Sequence, residues 1–211
     1  MSPQRCRRIF IHLRAANPHP RSELLFDTPF QLLIAVMLSA QATDRSVNAA
    51  TRELFHRAPT AKAMLGLGLA GLKHHIRTIG LYNTKARNIL ATCRMLLERH
   101  GGRVPRDREA LEQLPGVGRK TANVVLNAAF GEPTLAVDTH VFRVANRTGL
   151  ARAANPRAVE DALLRLIPLE FLPNAHHWLI LLGRYICRAR RPECPRCPIS
   201  RWCEYEHKTP P

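Results

Sequence analysis

Cys187, Cys194, Cys197 and Cys203 fall within seventeen residues, spaced C-x6-C-x2-C-x5-C. Nothing else in the chain restricts what its last stretch can fold around so strongly. Four thiols this close must bind something or cross-link. Soft sulfur donors select iron–sulfur clusters or zinc. Structural zinc sites usually show two short C-x2-C knuckles separated by a longer spacer. Here only Cys194 and Cys197 form such a pair. Four cysteines are the complement of a [4Fe–4S] cluster. The spacing favours iron–sulfur and leaves zinc open. Two disulfides fit poorly, because nothing else in the chain looks secreted.

The cysteines lie in basic surroundings. Arg184, Arg188, Arg190, Arg191, Arg196 and Arg201 flank or interleave them. A thiolate-bound cluster is negative and offsets some of this charge, but six arginines exceed that need. The loop from Arg188 to Glu193 reads as exposed and basic, with Arg190 and Arg191 as contacts for a polyanion. The whole chain agrees: 32 Lys+Arg stand against 16 Asp+Glu, a formal net charge of +16. Such an excess attracts nucleic acid or an anionic membrane. Membrane is the weaker choice. The longest apolar stretch, 30–40, is interrupted by Gln31 and too short to span a bilayer. Residues 1–14 are basic and lack the apolar core of a signal peptide. The chain reads as cytosolic and soluble. Cys93, among Ile89, Leu90, Leu96 and Leu97, reads as a core thiol; Cys6 carries no signal.

Helical periods run through the chain, and no segment sustains period-two alternation. Asp27-Thr28-Pro29 opens an almost wholly apolar helix, with a cap residue and then proline in the first turn. Thr43 or Asp44 caps the next. Helices follow over 61–65, 72–79 (stopped by Gly80), 84–100, 107–114 (capped by Asp107), 120–130, 138–147 (capped by Asp138), 157–167 (opened by Asn155-Pro156) and 173–186 (opened by Pro173). Glu132-Pro133-Thr134 is the expected crossing point between two lobes.

Leu114-Pro115-Gly116-Val117-Gly118-Arg119-Lys120 joins two of these helices. Glycines at 116 and 118 are expected to permit positive φ and a close approach of backbone to partner. A tight turn there exposes amides at a helix start, where an anion binds well. This is the pattern of a helix–hairpin–helix, a sequence-independent phosphate grip formed by Gly116, Val117, Gly118 and Arg119. It lacks the spacing of a Walker loop.

Together these motifs resemble the endonuclease III group of DNA repair glycosylases. The carriers are Leu38-Ser39-Ala40-Gln41-Ala42-Thr43-Asp44, Thr78-Ile79-Gly80-Leu81-Tyr82-Asn83, the hairpin, Val137-Asp138-Thr139-His140 and the four cysteines. The resemblance runs from about residue 8 to 205. It implies an all-α fold of two helical lobes. One, 22–132, is a six-helix barrel carrying the helix–hairpin–helix at about 108–130. The other, 1–21 plus 133–211, holds a [4Fe–4S] cluster on Cys187, Cys194, Cys197 and Cys203. DNA would lie across the groove between them. The implied partner is double-stranded DNA containing oxidised pyrimidines or abasic sites. A monomer is expected, with no membrane, in a prokaryotic cytoplasm and associated with the nucleoid.

The chemistry follows from the residues. A glycosylase that also cuts the strand needs an amine that forms a Schiff base with the sugar C1′, and arginine cannot supply one. Only five of the 32 basic residues are lysines: Lys62, Lys73, Lys85, Lys120 and Lys208. Lys120 alone adjoins the hairpin. The resemblance makes it the nucleophile and makes Asp138 the catalytic carboxylate, beside Asp138's ordinary reading as a helix cap. A base inside a duplex must be extruded before attack, and wedge side chains hold the kink. By resemblance Gln41 fills the gap and Leu81 wedges the opposite strand; otherwise they read as a helix-end polar residue and a core leucine. His140 reads as structural, and Trp178 and Trp202 as packing. Two rival readings remain. An adenine glycosylase of the same superfamily lacks the hairpin lysine and carries a further C-terminal domain, which this chain is expected to lack. A non-enzymatic iron–sulfur DNA-binding regulator leaves Lys120 and Asp138 without a role.

Overall fold

The computed structural model describes residues 1–210 and is all-helical, as expected, with no strand among them. The chain divides into two compact units, Ser22–Gly131 and Met1–Arg21 with Glu132–Pro211.

The Ser22–Gly131 unit holds α2 (Pro29–Ser39), α3 (Asp44–Arg57), α4 (Ala61–Gly66), α5 (Gly68–Ile76), α6 (Tyr82–His100), α7 (Arg108–Glu112) and α8 (Arg119–Phe130). The chain's first helix, α1, belongs to the other unit. Thr28, Thr43, Thr60 and Asp107 cap their helices through side-chain oxygens, each satisfying an orphan amide for about 1 kcal/mol. α2 buries every residue from Phe30 to Leu38. Six of these are large aliphatic side chains, each contributing roughly 1.5–3 kcal/mol, so α2 is the post around which the unit packs. α6 and α8 lie against it. Cys93 is fully buried, and burial pushes its thiol up to about 12. One expected helix is displaced: α5 spans 68–76, not 72–79. The chain leaves it through tight turns, with Ile79 N–H on Ile76 O and Tyr82 N–H on Ile79 O.

The second unit holds α1 (Pro3–Ala16), α9 (Thr139–Thr148), α10 (Pro156–Leu166) and α11 (Leu172–Tyr185). α1 turns Cys6, Ile9, Phe10 and Leu13 inward, the i, i+3, i+4, i+7 stripe of an amphipathic helix. Cys6 is therefore informative after all. It is wholly buried, and burial pushes its thiol up to about 11. Phe10, Phe171 and Trp178 cluster at the centre with ring centroids 5.6–6.2 Å apart, Phe10 stacked on Phe171 and Trp178 inclined to both. Trp202 packs on His12 at 4.1 Å. Glu204 fastens the C-terminal segment: its carboxylate pairs with Arg5 at 3.2 Å and Arg152 at 3.1 Å.

Candidate active site and nucleic-acid contacts

The hairpin is anchored from below. Leu114 and Val117 are buried in the core of their unit, and the Val117 amide donates to Leu114 O at 3.0 Å. Val117 thus spends both side chain and amide on the turn and offers a partner neither. Gly116 has φ +81° and lies so close to α6 that a Cβ would sit 2.8 Å from Asn88 Nδ2. Both facts demand glycine. Gly118 corrects the expectation: its φ is −98°, an ordinary extended residue. A Cβ there would meet nothing within 4 Å, so glycine at 118 leaves an open approach rather than a special turn. Gly118 precedes α8, whose start has no side-chain cap. Its first-turn amides and the positive end of its dipole are left to an anion. Arg119 lies 4.0 Å from Glu112.

Lys120 follows in the first turn of α8. Its side chain is exposed and makes no hydrogen bond or ion pair with the described residues. Lys85 and Lys208 are committed instead to backbone carbonyls.

Asp138 caps α9. Its Oδ1 accepts from His140 N at 2.9 Å and Val141 N at 2.8 Å; Oδ2 takes part in neither bond. The carboxylate is thus fixed by one oxygen and leaves the other available. The approach to it is firm. Leu135, Ala136 and Val137 are buried, and His176 Nδ1 donates to Ala136 O at 2.9 Å. His140 serves structure: its backbone lies against Gly183, and its Nδ1 is 3.2 Å from Arg143.

Gln41 and Leu81 are the two non-glycine residues in left-handed backbone among those described, with φ 57° and 59°. This conformation costs an L-residue about 1–2 kcal/mol, and such strain collects at functional sites. Leu81 is 63% exposed, which removes its core reading; Gln41 is exposed too.

In the other unit, Cys187, Cys194, Cys197 and Cys203 are free thiols lining one hollow with Ile186, Pro192 and Tyr205. No three His, Cys, Asp or Glu side chains among the described residues gather closely enough to hold a single metal ion. A tetrahedral zinc site would bring its sulfurs to about 3.8 Å of one another. Burial pushes the Cys197 thiol up to about 11 and raises Cys203 as well. α9 clamps this region. Arg143 donates to Gly183 O at 2.7 Å and Cys187 O at 3.0 Å. Arg147 reaches Cys187 Sγ at 3.7 Å, Arg188 O at 2.7 Å and Ala189 O at 2.6 Å. Glu193 pairs with Arg188 and Arg196. Arg190 and Arg191 are exposed and have no ion pair with the described residues.

Comparison with known proteins fits this arrangement. Residues 34–169 match the model of the HhH-GPD superfamily base excision DNA repair proteins. The chain belongs to that superfamily. It is 62% identical over 200 residues to Endonuclease III of Escherichia coli K12, covering 95% of each chain, and 60% identical to that of Haemophilus influenzae. It superposes with a TM-score of 0.90 on a trapped Endonuclease III–DNA covalent intermediate, at 46% identity and 96% coverage of both chains. A thermostable thymine-DNA glycosylase follows at TM-score 0.83 and 26% identity. The endonuclease III resemblance therefore holds, and the chain is a DNA glycosylase and abasic-site lyase of base excision repair.

Sequence reasoning missed Lys85, Asn88 and Thr92 on α6 and Arg143 and Arg147 on α9. Their partners lie 23–47 residues away, beyond any local pattern. Scarcity of lysine was the one available signal for Lys85. No helix among the described residues is long and apolar enough to cross a membrane.

Proposed function

We propose that this protein removes oxidised pyrimidines from duplex DNA and nicks the strand 3′ to the resulting abasic site, with Lys120 as nucleophile and Asp138 as its catalytic carboxylate. One observation carries the reading: a lysine with an uncommitted amine directly follows a hairpin whose helix start has no side-chain cap. The hairpin's amides and the exposed Arg190 and Arg191 hold the backbone of double-stranded DNA. Gln41 enters the gap left by the extruded base, and Leu81 wedges the opposite strand.

Asp138 balances positive charge on the sugar as the base departs. The Lys120 amine attacks C1′, and the glycosidic bond breaks with the departing base taking up the proton that the amine gives up. Ring opening with loss of a proton gives a Schiff base. A base then removes a C2′ proton, and the electron pair expels the 3′-phosphate. Water hydrolyses the remaining imine and frees Lys120.

Cys187, Cys194, Cys197 and Cys203 would hold a [4Fe–4S] cluster. Four cysteines lining one hollow are the complement of such a cluster, and the Cys197 and Cys203 thiols, raised by burial, need a metal's charge to ionise. The cluster would tie together the segment that presents Arg190 and Arg191. The protein would act in the cytoplasm, on nucleoid DNA.

Borohydride reduction tests the mechanism. Wild type should be trapped covalently on abasic or lesion duplex, while Lys120→Gln should lose trapping and nicking yet still bind. Full nicking by Lys120→Gln would sink the assignment. Adenine removal from mispairs, independent of Lys120, would indicate the adenine glycosylase instead.

A further inference from the structure

α6 touches every turn to which a DNA role has been given in its unit. Toward its C-terminal half, Thr92 Oγ1 donates to Pro115 O at 2.9 Å and Asn88 packs under Gly116. At its start stands Leu81, whose carbonyl accepts from Lys85 N at 3.0 Å. One turn in, the Lys85 side chain runs back to the end of α2. Its Nζ donates to Leu38 O at 2.8 Å and to Ala40 O at 2.6 Å. These carbonyls belong to a helix end, where intrahelical partners run out, and Gln41 is the next residue. The two turns also touch directly: a Cβ on Gly80 would lie 3.9 Å from Gln41 O.

Lys85 is only 8% exposed and has no carboxylate partner. Burial draws its ammonium below the ordinary lysine range. A buried cation is costly to retain, and a helix end can be closed more simply by glycine. Here the amine does what glycine does not. It ties the strained turn carrying Gln41 to the strained turn carrying Leu81. Strained conformations persist only where neighbours over-determine them.

We propose that Lys85 is a positioning residue for base extrusion: its amine locks the Gln41 and Leu81 turns together, so that both side chains enter the duplex as one preset wedge. This rests on the wedge role given to Gln41 and Leu81 above. Lys85 itself touches no DNA in this scheme; it removes the ordering that two mobile turns would otherwise undergo on binding.

The test compares nicking of an abasic site in duplex with nicking of the same site in single-stranded DNA, where no stacked pair has to be opened. Lys85→Met keeps the apolar stem and deletes the donor. It should lower the duplex to single-strand rate ratio by about 10- to 100-fold, the scale of an ångström-sized misplacement. Lys85→Arg, which keeps donors, should restore part of the ratio. Thr51→Val, which removes a buried hydroxyl bonded only to carbonyls of its own helix α3, controls for general destabilisation and should leave the ratio near wild type. An unchanged ratio in Lys85→Met, beside a lowered one in Gln41→Ala and Leu81→Ala, would overturn the proposal while sparing the wedge. Unchanged ratios in Gln41→Ala and Leu81→Ala would overturn the wedge reading itself. If Lys85→Met does not fold, Lys85→Leu, which also lacks a donor, carries the same comparison, and a wild-type ratio there refutes the proposal equally.

Discussion

Leu81 gives the sharpest separation of a DNA-facing residue from a structural one, because the two roles predict different energies. A core leucine cut to alanine costs about 2–5 kcal/mol. Leu81 is 63% exposed, so little more than a third of its surface is covered. With full burial worth roughly 1.5–3 kcal/mol, Leu81→Ala should cost under about 1 kcal/mol, a Tm change of about 2–4 °C at this chain length. Lesion processing in duplex should nonetheless fall at least tenfold, since the side chain proposed to hold the kink is gone. The backbone supplies a second number. At φ 59° and ψ 24°, Cβ crowds a carbonyl for about 1–2 kcal/mol. Glycine relieves that crowding and loses roughly 0.5–1 kcal/mol of backbone entropy. Leu81→Gly should therefore be at least as stable as Leu81→Ala, the reverse of the order inside a helix. Thermal melts and single-turnover cleavage of a lesion duplex measure both. A loss above about 2 kcal/mol in Leu81→Ala with activity falling in proportion, or duplex cleavage at the wild-type rate, would refute the reasoning.

Replacing Arg190 and Arg191 with alanine should flatten the dependence of log affinity on log salt by about 1.8, at 0.9 per phosphate contact; an unchanged slope in duplex titrations places the DNA elsewhere. Protein purified anaerobically should be yellow-brown and carry about four irons, with Cys194→Ser poorly soluble; one zinc equivalent without iron would count against the cluster. Burial lowers the proton affinity of His177 below its ordinary 6.5. The unfolded chain then binds the extra proton, so this contribution to stability is full above about 6.5 and is lost as pH falls toward the depressed folded value. His177→Gln should weaken that acid-side slope in Tm, and an identical pH profile would show that His177 contributes nothing to it.

Helix starts were the most legible part of the fold because a cap is local chemistry. Thr28, Thr43, Asp107, Asp138 and Asn155 each accept an amide of their own first turn, and each could be read off the chain. α5 was misplaced because no such residue marks it: Leu67 supplies no side-chain cap. The buried face of α1 was equally legible in its spacing, but its arginines masked it. Lys120 and Asp138 stood out because each borders a motif. Leu81 could be suspected only through resemblance, since no sequence pattern announces a leucine in left-handed backbone. Lys85 was invisible as a brace, since its partners lie 45 and 47 residues away.

The contacts missed in the sequence have a common logic. The groups assigned to chemistry and to DNA sit at helix starts and turns, where backbone groups are free to act but individually soft. Each is stiffened by contacts from a neighbouring helix. In one unit α6 braces the hairpin through Asn88 and Thr92, and the Gln41 turn through Lys85. In the other, α9 begins at Asp138 and reaches the cysteine segment through Arg143 and Arg147. Changes in α9 should then separate by position. Arg147→Met, which releases Arg188 O and Ala189 O, should lower the salt slope of DNA binding as removal of Arg190 and Arg191 does, because those arginines lose their support. Trapping on abasic DNA at saturating protein should persist, since both Asp138 Oδ1 bonds come from the far end of the helix. A loss of trapping at saturation with the salt slope intact would mean that α9 carries strain to Asp138 rather than support to the basic loop.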